Sequence, residues 1–359
     1  MMNSRHGNRS KRKKKIWFLI LTPILVIGIV ATSYAVSVSM SAKEAVNNAQ
    51  QEIEGRETTN KSELREEVVD PNVDNISILF MGIDDSTNRG YGASHARTDA
   101  LLLATFNETD KSVKVVSIPR DSYVEIVGRD FYDKINHAHA FGGIDMTVNT
   151  VEQFLDVPVD YYVRLNFNAF MSIVNTLGGV TVDVPFEFTE QDSEDVQGAI
   201  TLQEGLQQLN GEEALAFART RVDSDYQRGI RQQQIIEAII KKSMSFESLT
   251  KFDDVFASIG DNLTTNMSFD EMMSFHDYIL SGSTPEVEHL TLIGEATYIR
   301  NNAGQDIYYY KVQDQSLQEV KDSLQAHLDL NDTTSPSTTL TQPGSSDADG
   351  SQTNEIQLQ

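Results

Sequence analysis

The sequence predicts a mixed α/β domain carried behind a single membrane-spanning helix. Three observations predict it. An uncharged apolar run fills residues 16–36, short strand-like apolar runs then alternate with helical apolar spacing, and polar segments bracket this core on both sides. At 359 residues and 39% apolar content, the chain is long enough for one large domain or two ordinary ones. It contains no cysteine. Disulfides and cysteine-ligated zinc are therefore excluded, and packing must hold the domain.

Residues 1–15 form a basic tail and residues 16–36 the predicted span (IWFLILTPILVIGIVATSYAV). A 21-residue helix is about 31 Å long, enough for a bilayer core of about 30 Å. The basic block Lys11–Lys15 stands directly before it, so the positive-inside rule places the N-terminus in the cytoplasm and the rest outside the cell membrane. A cleaved signal peptide is the alternative, but its apolar region is ordinarily shorter. Residues 37–75 are polar and read as a partly helical extracytoplasmic stalk. Residues 331–359 are nearly free of large apolar side chains and read as a disordered tail.

The domain lies between, over residues 76–330. Ile76–Ile83, Ala100–Phe106 and Val113–Ile118 read as strands, with a turn at Asn107–Lys111 joining the last two. Residues 143–156 and 166–177 carry helical apolar spacing, and Gly178-Gly179 stands where a glycine C-cap would. Val180–Val184 reads as a strand and 229–245 as a long helix. A strand pair and a helix close the domain over 286–328.

Charge is strongly asymmetric. The net charge is −24, but seven basic residues and no acidic ones lie in residues 1–40, leaving 22 basic against 53 acidic residues, or −31, from residue 41 onward. So acidic a domain is a poor nucleic-acid binder. An anionic ligand must meet a local basic pocket inside an acidic envelope.

Three constellations suggest that pocket. Asp84 ends a buried strand and Asp99 opens the next, where α/β sheets gather ligands; two carboxylates there suit Mg²⁺, or Mn²⁺, or else make a plain turn. Arg120-Asp121 follows a strand and Pro119. Arg120 suits a phosphate and Asp121 a proton, unless the two only pair with each other. Nearby Lys134 adds a possible phosphate contact. Arg219, Arg221, Arg228 and Arg231 fall within 13 positions of an acidic chain. Arg228 and Arg231 lie on the apolar stripe of the long helix, where a guanidinium must either bind an anion or pair with Asp223, Asp225 or Glu213. His137 and His139 read as ordinary polar or core positions. No phosphate-binding Walker loop, nucleophile elbow or zinc-protease motif is present. The inventory favours phosphate chemistry by positioning and charge neutralisation.

In order, ILFMGIDD (78–85), RTDALLLATFN (97–107), VVSIPRDSYVEI (115–126), DKINHAHAFGG (133–143), YYVRLNFNAFMSIVNTLGGVTVDVP (161–185) and LNGEEALAFARTR…RGIRQQQ (209–234) resemble the LytR-CpsA-Psr family. The resemblance covers roughly residues 75–330. It implies an α-β-α sandwich with a central mixed sheet and a hydrophobic groove for a polyprenyl chain. The implied enzyme is a glycopolymer-phosphate transferase at a Gram-positive cell membrane. It would move teichoic acid or capsular polysaccharide from a polyprenyl-pyrophosphate carrier onto a muramic acid hydroxyl of peptidoglycan. The resemblance further implies Asp84 and Asp99 as metal ligands. It places Arg97, Arg120, Arg219, Arg221, Arg228 and Arg231 around the pyrophosphate, assisted by Gln232 or Gln233. A phosphohydrolase using the same site, and a non-catalytic lipid- or wall-binding protein, are the alternative readings.

Overall fold

The structure is a computed structural model and describes residues 43–83 (except 45, 57, 59 and 72), 97–243 (except 224), 262–273 and 286–330. The basic tail, the predicted span, Asp84 and the C-terminal tail all lie outside the described residues. Among the described residues no helix is long and apolar enough to cross a membrane.

The core is a six-stranded mixed sheet. Its strands are β1 (Ile76–Ile83), β2 (Thr98–Asn107), β3 (Ser112–Ser117), β6 (Tyr161–Asn166), β11 (Leu263–Thr265) and β12 (Glu286–Thr291), in the order β11-β6-β1-β2-β3-β12. β1 pairs antiparallel with β2 and parallel with β6, while β3 pairs antiparallel with β2 and parallel with β12. Leu79, Met81, Leu101, Leu103 and Val116 pack on one side against α1 (His137–Leu155) and α5 (Asp314–His327). Ile76, Ile78, Leu102, Ala104 and Val115 pack on the other, with Ile236 and Ile240 of α4 (Asp225–Ser243). Covering both faces explains why the central strands are near-continuous apolar runs rather than alternating ones. A third cluster joins α2 (Phe167–Thr176), β7 (Val180–Val184), α3 (Gly211–Arg219) and the inner face of α4.

The predicted strands at 76–83, 100–106, 113–118 and 180–184 are present to within two residues at each end. The helix expected from 143 begins at His137 instead, running through a kink at Gly142-Gly143, where Gly143 takes φ +67°. The closing segment carries three strands, not two: β12, then the hairpin of β13 (Gly294–Arg300) and β14 (Asp306–Val312). Hairpins β4–β5 (Tyr123–Ile126, Phe131–Lys134) and β8–β9 (Phe188–Glu190, Ile200–Leu202) add to the periphery, and β10 (Gly205–Leu209) pairs with β7.

The segment expected to be a stalk is packed onto the domain. Val46 and Ile53 are buried in the two sheet-face clusters. Arg56 donates to Glu152 Oε2 at 2.6 Å and to the Val159 carbonyl at 3.0 Å. Arg65 forks onto both carboxylate oxygens of Asp160 at 2.9 and 2.7 Å. Its charges serve buried long-range pairs, so a polar composition here does not mean a solvated spacer.

α5 is pinned by a histidine. His327 lies between the hydroxyls of Thr105 (2.8 Å) and Ser112 (2.9 Å). Burial, reinforced by the nearby Lys114 charge, lowers its pKa from 6.5 to about 4. The neutral imidazole is therefore the form the fold selects. Its contribution is complete above pH 6.5 and is lost as pH falls from 6.5 through 4. Thermal unfolding at pH 7 and pH 4.5 should show His327→Gln losing less stability on acidification than the parent. An equal loss in both would deny His327 this role.

Candidate active site

The site begins with an irregularity in the sheet. Gly82 pairs with Ala100, but the next residue, Ile83, pairs with Thr98. Asp99 is thus the extra residue of a β-bulge, a device that re-aims a side chain at a strand end. A Cβ on Gly82 would stand 3.1 Å from the Ala100 Cβ, so the close approach beside the bulge favours glycine.

Asp99 lines a cavity of about 380 Å³ between the sheet and helices α2, α3 and α4. Phe80 and Leu102 come from the sheet, Phe167 and Phe170 from the start of α2, Leu215 from α3, and Ile235 and Ile236 from α4. The polar part is Asp99, Asn166, Glu190, Gln191, Arg219, Arg221, Arg228 and Gln232. One compartment therefore offers apolar walls and three guanidinium groups together.

Each arginine is placed by a local reason. α3 starts at a capping box in which Asn210 accepts from the Glu213 amide and Glu213 accepts from the Asn210 amide. Nine helical residues later it delivers Arg219 to the cavity. The Arg219 guanidinium lies 5.8 Å from the Phe167 ring and donates to the carbonyls of Gln191 (2.6 Å) and Asp192. Arg221 is exposed at the cavity rim, whereas Arg228, on the first turn of α4, is buried.

Two predicted ligands lie off the cavity and bond within the protein. Arg231 is 2% exposed, does not line the cavity, and donates to both oxygens of Asp223 at 2.8 Å and to the Thr220 carbonyl at 3.0 Å. This ties the α3–α4 connection to the helix. Gln233 donates to the carbonyls of Val115 (3.3 Å) and Leu290 (3.0 Å), fastening α4 to the sheet. Helical phase separates it from Gln232, which faces the cavity. Arg97 is exposed just before β2 and is not among the lining residues.

Beside the cavity stands a chain of charges. Arg120 Nη1 donates to Asp99 Oδ1 at 2.5 Å, and its Nε lies 3.5 Å from Asp121 Oδ2. Lys134, from β5, donates to Asp121 Oδ1 at 2.7 Å. The structure thus joins Asp99, Arg120, Asp121 and Lys134, which the sequence places up to 35 positions apart. His137 bonds Asp133 at 2.8 Å and His139 is fully buried. Among the described residues no group of three or more His, Asp or Glu forms a metal cluster.

The wall residues Phe80, Phe167, Phe170 and Leu215, and the polar Glu190 and Gln191, were not anticipated as site residues. Their apolar members carry ordinary core spacing. The Asn210-x-x-Glu213 signature would have located α3.

A mixed α/β domain that sets an apolar cavity against a cluster of arginines belongs to the class that binds an amphipathic anion. The LytR_cpsA_psr family model matches residues 36–326, and the chain belongs to that family. It is 42% identical over 323 residues to the polyisoprenyl-teichoic acid–peptidoglycan teichoic acid transferase TagT of Bacillus subtilis (strain 168), covering 89% of this chain and 97% of that one. A structure described as TagT bound to LI-WTA matches at 42% identity with TM-score 0.65, covering 78% of this chain and all of the other. One described as YwtF (TagT) with bound octaprenyl pyrophosphate lipid matches at 39% identity with TM-score 0.62 and the same coverage.

The two kinds of arginine separate by stability. Asp223→Ala, which strands the buried Arg231 guanidinium, should lower the urea-unfolding free energy by about 3 kcal/mol. Arg219→Ala, on the cavity wall, should cost less than about 1 kcal/mol. The reverse order would move Arg231 back into the site and Arg219 out of it.

Proposed function

We propose that this protein transfers a phosphorylated glycopolymer of the teichoic acid class from a polyprenyl-pyrophosphate carrier to a hydroxyl of peptidoglycan muramic acid. The observation that carries the proposal is the juxtaposition of apolar walls with Arg219, Arg221 and Arg228 in one cavity. An isoprenoid chain needs the first and a pyrophosphate the second. The names of the relatives and the lipid of the matching structure support the same substrate. In this reading the cavity is part of the lipid groove of an α-β-α sandwich.

The acceptor oxygen bonds to the glycan-bearing phosphorus as the phosphoanhydride P–O bond breaks. Polyprenyl phosphate leaves, and the acceptor proton passes to a base. Asp121 is the proposed base, its carboxylate oriented by Lys134 at 2.7 Å. Arg219, Arg228 and Arg120 counter the charge of the pyrophosphate and of the departing phosphate. Asp99 is a cavity-lining carboxylate, and Asp84 follows Ile83 directly in sequence. This oxygen donor chemistry fits Mg²⁺, or Mn²⁺, which would supply further charge neutralisation when bound. Residues 16–36 would anchor the chain as a single span, with the domain outside the membrane of a Gram-positive cell.

The test uses the chain from residue 41, because Val46, Ile53 and Arg56 belong to the fold. With Mg²⁺, lipid-pyrophosphate-linked saccharide and peptidoglycan fragments, the parent should form a saccharide-phosphate-muramyl product. Arg219→Ala and Asp99→Ala should each lower the rate by at least about a hundredfold. Lipid phosphate released without coupled product would establish a hydrolase instead. Tight lipid binding without turnover would leave a carrier-binding protein.

A further inference from the structure

Outside the cavity lies a row of aromatic side chains that the reaction, as described so far, does not use. Tyr298 of β13 packs against Tyr308 of β14 on one face of their hairpin, with centroids 5.7 Å apart, and Tyr309, the next residue of β14, stands on the other face. The Lys134 ammonium lies 5.5 Å from the Tyr308 ring and 5.8 Å from that of Tyr309. Tyr309 meets Tyr123 at 4.9 Å, and Tyr123 meets Tyr132 at 5.3 Å. On that other face Tyr309, Tyr123 and Tyr132 form a row that crosses from one peripheral hairpin to the other. It is also wet: Tyr132 is 54% exposed.

This row is joined to the chemistry. Lys134, beside Tyr309, is the residue that holds Asp121 at 2.7 Å, and Asp121 is 3.5 Å from Arg120, which bonds the cavity-lining Asp99. The Tyr310 amide donates to the Asp121 carbonyl at 2.9 Å, fixing the β13–β14 hairpin against the same residue. We infer that Tyr309, Tyr123 and Tyr132 form a platform for the acceptor glycan, a peptidoglycan-type sugar strand that stacks its rings on the tyrosines and presents a hydroxyl at Asp121. The inference rests on the transferase reading and assigns that reading its second substrate site.

Three observations favour a sugar strand over other occupants. Pyranose rings have apolar C–H faces and hydroxyl edges, and tyrosine offers the matching flat apolar face with a polar tip. Carboxylates surround the row: Asp121, Asp133, which bonds the Tyr309 hydroxyl at 3.4 Å, and Glu125, paired across the hairpin with Tyr132. They disfavour the donor polymer, which carries a phosphate on every repeat, more than a glycan strand whose only charges are its muramic lactyl carboxylates. Finally, in-line displacement needs the acceptor opposite the departing polyprenyl phosphate. The lipid would fill the cavity, and neither Asp121 nor the tyrosine row lines it.

The experiment uses the full chain in detergent micelles. Glycan strands stripped of their stem peptides are titrated by calorimetry without donor, and transfer kinetics are measured in parallel. Replacing Tyr123 and Tyr132 together by Ala should raise the strand Kd and the acceptor KM roughly tenfold, leaving kcat and the donor KM unchanged. Replacing both by Phe should restore parent values, a rescue that a general loss of folding would not allow. Unchanged strand binding in the Ala variant overturns the platform, as does binding of free stem peptides but not of stripped strands. Should the parent fail to transfer at all, the transferase reading falls. Tyrosine-dependent strand binding, measured without donor, would then still decide the platform.

Discussion

The bulge at Asp99 is the constraint from which the site follows. One extra residue on β2 lets the strand keep its register with β1 while turning a carboxylate toward the cavity. Gly82 permits the close backbone approach that the irregularity needs. Asp99 in turn anchors Arg120, Arg120 stands against Asp121, and Asp121 is held from the far side by Lys134. A single register shift thus organises a line of charges that couples the central sheet to the peripheral hairpin β4–β5.

The arginines show how the same residue type is spent in different ways within one short stretch. A buried guanidinium must find fixed acceptors or a ligand, because leaving it alone costs several kcal/mol. Arg231 meets that demand within the protein, through the Asp223 carboxylate and the Thr220 carbonyl, and so stiffens the α3–α4 connection. Arg219 meets it with two main-chain carbonyls and an aromatic face, leaving cavity-facing surface available to an anion. Neutral carbonyls compete with a phosphate far less than a carboxylate would. In a domain this acidic, the three cavity arginines outnumber the two carboxylates that line the same wall, Asp99 and Glu190, and the pocket is locally basic.

Much of this was legible in the sequence, within definable limits. Long apolar runs bounded by turn residues gave β1, β2 and β3, because strands buried on both faces leave a strong local signal. The short peripheral strands did not, since half-exposed pairs such as β4–β5 carry little periodicity. Asp99, Arg120, Asp121 and Arg219 stood out by position at element ends. Helical spacing identified Arg231 as buried and offered Asp223 among three carboxylate partners, but could not choose between pairing and anion binding, as Asp223 lies off the helix. The charges of residues 43–75 were misread because the partners of Arg56 and Arg65 lie 96 and 95 positions away. The tyrosine row was invisible for the same reason, being assembled from two distant hairpins.

The central claim is that one cavity recognises both halves of a polyprenyl pyrophosphate. Calorimetric titration of the protein with polyprenyl pyrophosphate, polyprenyl monophosphate and polyprenol of one chain length, and with pyrophosphate on a shortened chain, tests it directly. The account predicts that affinity drops both when phosphates are removed and when the chain is shortened, and that Arg228→Ala abolishes the first dependence but not the second. Affinity that follows chain length alone, indifferent to the head group and to Arg228, would contradict it.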